Sequence, residues 1–257
     1  MKWMLPVAIA ASLAAGAAAS APPSHAAIPG YVGKAVADPA RGDDVKIDAR
    51  RHVADLVAFS GAKPGDSVLE LIPGSGYFTK VFSKVVGPTG HVYALWPRPY
   101  DDESHPDSDM MRKLAKDPGF NNIEVLVQPA NALSAPRPLD VVFTSQNYHD
   151  YPDKFMGPTD PAVLNKAVFS ALKPGGIYIV VDHVAQAGSG LRDTDTLHRI
   201  DPATVKQQVT KAGFEYVGES PVLRNPNDTH TLKVFDKAIR GHTDQFAYKF
   251  RKPGSAK

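Results

Sequence analysis

The sequence predicts a doubly wound α/β domain whose mostly parallel sheet ends in an antiparallel hairpin. Three observations carry this expectation. Short apolar runs alternate with helix-period segments, a glycine-bearing turn separates the first such run from the helix after it, and the rhythm changes towards the carboxyl end. Composition agrees: 257 residues, 43% hydrophobic and 22% charged, are enough to bury one core without metal or disulfide staples.

Residues 1–26 read as a secretory signal peptide, because Lys2 precedes an alanine-rich apolar run over 4–19 and then small residues and prolines. Cleavage is expected after Ala21 or Ala26, giving a periplasmic or secreted chain with no stable membrane insertion. The run is shorter than the roughly 20 strongly apolar residues that a membrane span needs. With no cysteine, no lipoprotein anchor is expected. Residues 27–46, rich in Gly, Pro, Asp and Ala without a sustained period, predict an extended arm, and the domain proper is expected over 47–257.

A helix is expected over 47–60, with Val53, Leu56, Val57 and Phe59 on one face and Arg50 and Arg51 on the other, stopped by Gly61. A buried strand follows at 67–72, then an amphipathic helix at 77–86, a strand at 90–95, a helix at 107–116 and a strand at 123–127. The alternation continues with a strand at 139–144, a helix at 161–172 with proline in its first turn, and a strand at 176–181. A loop over 183–200 then leads to a helix at 202–212 and to two strands, at 215–222 and 229–235, joined by Arg224-Asn225-Pro226-Asn227-Asp228. In the tail, Phe246, Tyr248 and Phe250 alternate; it packs as an edge strand or a strap, or it frays.

The most informative segment is Val68-Leu69-Glu70-Leu71-Ile72-Pro73-Gly74-Ser75-Gly76-Tyr77-Phe78-Thr79, where a strand meets glycines and then a helix. Gly74 and Gly76 let the backbone turn tightly and approach a ligand, and the helix presents free N–H groups towards it. In open α/β sheets ligands bind at the carboxyl ends of the strands, near the reversal of strand order. An NAD dehydrogenase is disfavoured, because the G-x-G-x-x-G spacing is missing.

Glu70, Gly74 and Gly76 resemble the first motif of the class I S-adenosylmethionine-dependent methyltransferases, acidic-x-Gly-x-Gly-x-Gly, with Ile72 in place of the first glycine. Leu172-Lys173-Pro174-Gly175-Gly176 is similar to the turn before the fifth strand in that superfamily. Together with Asn147-Tyr148-His149-Asp150, Val181-Asp182-His183, Leu197-His198-Arg199-Ile200-Asp201 and Phe250-Arg251-Lys252-Pro253, these stretches resemble a group of exported bacterial methyltransferases. The resemblance implies a seven-stranded Rossmann-like methyltransferase fold, S-adenosylmethionine as cofactor and methyl transfer to a small molecule. It places Glu70, Pro73, Gly74, Gly76, Trp96 and Asn131 around the cofactor. Trp96 stands where such enzymes carry an acid for the ribose hydroxyls, so stacking on the adenine is expected in its place. Asn131 either bonds the adenine edge or caps its own loop.

The polar clusters after the fourth and fifth strands fall on the same sheet edge. Methyl transfer needs a positioned nucleophile and, where that nucleophile carries a proton, a base. His149 is the first candidate for the base, or else a loop histidine that caps backbone groups. Asn147, Tyr148, Asp182, His183, His198 and Arg199 are expected to line the acceptor side. A divalent metal is a rival use of His149, Asp150, Asp182, His183, His198 and Asp201, although no local spacing such as H-E-x-x-H supports it. A third reading is a binding protein that has lost use of the cofactor. Lys and Arg (29) nearly balance Asp and Glu (27), which argues against nucleic acid or an anionic membrane surface as partner.

Overall fold

The computed structural model describes residues 27–157 and 159–254; the expected signal segment at 1–26 lies outside them. Its elements in chain order are α1 (Gly30–Val36), α2 (Asp48–Arg51), α3 (Val53–Ser60), β1 (Ser67–Leu71), α4 (Tyr77–Val86), β2 (His91–Pro97), α5 (Arg98–Leu114), β3 (Ile123–Gln128) and β4 (Leu139–Ser145). After these come α6 (Pro161–Ala171), β5 (Leu172–His183), α7 (Thr194–Leu197), α8 (Pro202–Lys211), β6 (Glu215–Ser220) and β7 (Gln245–Arg251).

The strands form one seven-stranded sheet in the order β3-β2-β1-β4-β5-β7-β6. β1 to β5 pair in parallel, while β7 runs antiparallel between β5 and β6. Because successive side chains of a strand point to opposite faces, β2 divides its residues between two cores. Val92, Ala94 and Trp96 join the cluster under α1, α3 and α4, whereas Tyr93 and Leu95 join the cluster under α6 and α8.

Capping explains the sharp starts of two helices. Asp160 accepts from the Ala162 amide at 2.8 Å and Asp201 from the Ala203 amide at 2.9 Å, each just before a proline in the first turn. Each such cap stabilises its helix by about 1 kcal/mol.

Four expectations are corrected. The arm at 27–46 is not extended: α1 buries Val32 and Ala35, and an irregular run of 3-10 turns fills Pro39–Ile47. A seven-residue helix, about two turns with two buried positions, is too short to show a period in sequence. The arm is fixed to α4 by Arg41, whose guanidinium grips Asp48 at 2.6 and 2.7 Å, and by the Tyr77 hydroxyl, which donates to the same carboxylate at 2.6 Å. The expected helix over 47–60 is broken at His52, a residue in the left-handed region (φ 47°). The helix expected at 107–116 begins at Arg98 and runs through Pro106.

The fourth correction concerns the hairpin. Residues 229–235 form no strand; their place in the sheet is taken by β7 from the tail, with Phe246, Tyr248 and Phe250 all packed in one core cluster. Local bonds explain the substitution, since Asp228 accepts from the amides of His230 (3.0 Å) and Asp244 (2.7 Å) and so holds the connection in a loop.

Candidate active site

The strand order reverses between β1 and β4, and the segments leaving the carboxyl ends of these two strands face each other across a cavity of about 650 Å³. The first wall is the glycine turn, with Glu70, Ile72, Pro73, Gly74 and Ser75; the second is the segment 145–150. Asn147 ties the walls together by donating from Nδ2 to the carbonyls of Ile72 (2.9 Å) and Ser145 (2.7 Å).

The backbone around the cavity is strained. Of the five non-glycine residues with positive φ among the described residues, Ile72, Gln146 and His198 line it. Such conformations cost of order 1–3 kcal/mol each and persist where the surroundings over-determine them, which is common at ligand sites. Gly74 (φ 56°) has open space beside its Cα, on the cavity wall. Gly76 (φ 80°) caps α4 with Met111 packed against it and does not itself line the cavity.

His149 is buried on the second wall. Its Nδ1 lies 2.8 Å from Asp182 Oδ1, and its backbone amide donates to Asp182 Oδ2 at 2.9 Å. An ionised carboxylate can only accept, so Nδ1 carries a proton and Nε2 is the atom turned to chemistry. Nε2 sits 3.2 Å from Asp150 Oδ1 and 3.4 Å from His198 Nδ1. Burial pulls the pKa of His149 down, but the Asp182 charge and hydrogen bond outweigh it and push it up to about 9. The same contact holds Asp182 below the usual carboxylate range despite its burial. Burial, with Asp182 and Asp153 as neighbours, raises Asp150 to about 7 against the pull of His149. His183 is neutral: burial lowers it to about 3, and its Nδ1 lies 2.8 Å from the Thr243 hydroxyl.

The sequence-predicted residues separate into two groups. Glu70, Pro73, Gly74, Asn147, His149, His183 and His198 converge on the cavity, with Asp182 directly behind His149. Besides Gly76, which caps α4, four others do not reach it. Trp96 is fully buried in the core under α4, because position 96 falls on the inward phase of β2, so it cannot stack on a ligand in the cavity. Asn131 lines a separate pocket of about 270 Å³ with Arg98 and Asp102. Tyr148 points into the opposite layer, where its hydroxyl bonds Gln208 and Asn165 at 3.0 and 2.7 Å. Arg199 is a buried anchor paired with Asp228 at 2.9 Å.

Tyr77 and Phe78, which close the glycine-turn motif, line the cavity as well, as do Arg51 and Gln146, which carry no motif that would have announced them. Arg51 reaches it because the chain breaks at His52. For a divalent metal, His149, Asp150 and His198 offer one ligand atom each, all within 4.8 Å of one another; Asp201 is committed to capping α8 and to the Gly188 amide.

The sheet order, the glycine turn and the polar wall opposite it define a doubly wound α/β protein with a ligand cleft at its switch point. No family model matches the chain. It is similar to a protein-L-isoaspartate O-methyltransferase of Ignicoccus hospitalis, 31% identical over 136 residues covering 52% of this chain and 55% of that one. The ubiquinone/menaquinone biosynthesis C-methyltransferase UbiE of Hydrogenovibrio crunogenus is 30% identical over 203 residues, 74% of this chain and 72% of that one. A crystal structure of a SAM dependent methyltransferase from Aquifex aeolicus shares the fold, with a TM-score of 0.57 and 17% identity over 84% of this chain and 98% of that chain. The chain spans about half the length of the first curated relatives it matches. It belongs to the class I S-adenosylmethionine-dependent methyltransferases.

Proposed function

We propose that this protein transfers a methyl group from S-adenosylmethionine to a small-molecule acceptor. The observation that carries this reading is one cavity with a glycine turn on one wall and the His149–Asp182 pair on the other. The cleft suits the cofactor: Gly74 leaves room for close backbone approach, and the Glu70 carboxyl and the start of α4 lie beside it. Pockets of roughly 300–1,000 Å³ hold ligands of such size. When bound, the cofactor supplies an electrophilic methyl group on a sulfonium.

The chain's own residues do the rest. Pro73, Gly74 and Ser75 present backbone to the cofactor, and Glu70 supplies an acid at the same end. Asp182 fixes the ring of His149, and the pair that Nε2 makes with Asp150 accepts the proton that an acceptor hydroxyl or amine gives up, through the Asp150 carboxylate near neutral pH, where His149 is charged, and through Nε2 above about pH 9. His198 and His183 bound the acceptor side, and the Phe78, Phe155 and Phe235 rings contribute apolar wall. Orientation by such a wall, together with a positioned base, is what an in-line displacement requires.

A second use of the same wall is a divalent cation held by His149, Asp150 and His198. The Asp182 contact on the far nitrogen of His149 is the support that a metal-bound imidazole typically has. Export after cleavage near Ala21 or Ala26 completes the proposal, supported by the residue pattern at 1–26. The near balance of charge supports a small molecule rather than nucleic acid as partner. Among the described residues no helix is long and apolar enough to cross a membrane.

The test is product formation from methyl-labelled cofactor with a panel of small hydroxy and amino compounds, read by mass spectrometry. His149→Ala is expected to lower turnover by about 10²–10⁴-fold while S-adenosylhomocysteine affinity stays within a few fold. Undiminished product in that variant would contradict the role.

A further inference from the structure

Beyond the main cavity lies an annex of about 170 Å³, entered past His183, Gln146 and Phe235, which line both. Its wall carries Arg50, Arg51 and Arg240 and no carboxylate. The acids of the main cavity, Glu70, Asp150 and Asp195, belong to that cavity alone, so the two compartments differ in charge.

Arg51 is the unusual member. Its guanidinium carbon lies 4.8 Å from the Tyr77 ring centre and 5.0 Å from that of Phe78, contacts that hold the fork by its face and leave its edge for hydrogen bonds. Among the described residues it forms no ion pair, and its one side-chain hydrogen bond, to Ser145 Oγ, is long at 3.4 Å. The two fully buried arginines behave otherwise: Arg41 grips Asp48 and Arg199 grips Asp228, each with two nitrogens. Burial without such a partner holds Arg51 below its ordinary pKa. Gln146, Thr243 and Gln245 complete the lining and are chained together, Gln146 donating to Gln245 at 3.0 Å and Gln245 to Thr243 at 3.4 Å.

We propose that the annex is an oxyanion subsite in which Arg51, with Arg50 and Arg240 beside it, takes a carboxylate or phosphate group of the methyl acceptor. An annex this small admits an end group rather than a whole ligand. Arg–oxyanion recognition is strong because two parallel N–H donors meet two oxygens. Assignment of the anion to the acceptor rests on the methyl-transfer reading; the anion site itself does not. Another source of the same chemistry is the cofactor's own carboxylate, but Arg50 and Arg240 line the annex and not the compartment of the glycine turn.

The experiment is thermal unfolding of the full chain with inorganic phosphate, against chloride at matched ionic strength. At about ten times its Kd, phosphate is expected to raise the midpoint by about 3 °C. Arg51→Gln should abolish the rise and Arg240→Gln, at an exposed position, should at least halve it; midpoints without phosphate report whether each variant folds. No phosphate-specific rise, or an equal rise in both variants, would overturn the site. A second arm titrates S-adenosylhomocysteine and 5′-methylthioadenosine, which lacks the carboxylate. Their affinity ratio should be unchanged in Arg51→Gln; a tenfold loss confined to S-adenosylhomocysteine would move Arg51 to the cofactor and overturn the acceptor assignment. Phosphate binding without S-adenosylhomocysteine binding would leave the anion site standing and remove the methyl-transfer reading instead.

Discussion

Arg199 and Arg51 are both drawn out of bulk water, yet their surroundings are opposite. Arg199 donates to the carbonyls of Leu232 and Val184 and to both oxygens of Asp228, so its hydrogen-bonding capacity is spent inside the protein. Arg51 rests on two rings at the junction of two cavities and has no carboxylate in ion-pair reach among the described residues. A buried charge costs free energy unless it is paired. A fully paired one therefore belongs to the architecture, and one left open beside a cavity is available to a ligand. The same distinction separates Tyr148, whose hydroxyl is satisfied by Gln208 and Asn165 within the core, from His149, which is fixed by Asp182 at Nδ1 and meets other residues of the cavity wall, Asp150 and His198, at Nε2.

The sharpest way to break this comparison is to replace both arginines by methionine and measure denaturant unfolding. Arg199→Met leaves Asp228 buried and unpaired and should cost about 3–5 kcal/mol. Arg51→Met should change stability by less than about 1 kcal/mol, because no ion-paired carboxylate is abandoned and the methionine keeps apolar contact with the Tyr77 and Phe78 rings. Equal costs would mean that Arg51 is as structural as Arg199.

A smaller effect sharpens the contrast at the glycine turn. Glu70 is buried, and burial pushes its carboxyl up to about 8 against the opposing hydrogen bond from Thr79 and the charge of Arg51. The folded protein holds this proton more tightly than the unfolded chain. Its contribution is therefore most favourable at low pH and is lost as pH rises from about 4.5 to about 8. Unfolding free energy measured from pH 5 to 9 should fall across this window, and Glu70→Gln should flatten that fall. An unchanged slope in the variant would assign the proton elsewhere.

The first half of the sheet was legible because parallel strands buried on both faces leave continuous apolar runs, as in 67–72 and 139–144, and because glycines mark the turn at 74–76. The carboxyl end was not. The segment 229–235 alternates well enough for a strand, but Asp228 and Asp244 bind backbone amides locally, and the aromatic alternation at 246–250 pairs with β5 instead. Within the site, His149, Asp182, His183 and His198 could be read from their positions after strands. Trp96 could not, because both phases of β2 end in a core, Trp96 in one layer and Leu95 in the other, and the sequence does not print how far the strand stays covered. Arg51 was hidden for another reason: an arginine on the polar face of an expected helix carries no sign of the break at His52 that brings it to the cavity.

The central claim is that the cavity between the glycine turn and His149 binds S-adenosylmethionine. Calorimetric titration of the purified protein with S-adenosylmethionine and S-adenosylhomocysteine, with and without a divalent cation, tests it most directly. Binding with Kd on the order of micromolar, about 8 kcal/mol, is the expected result, and a cation-dependent gain would add the metal held by His149, Asp150 and His198. No binding of either compound, with or without the cation, would contradict the claim.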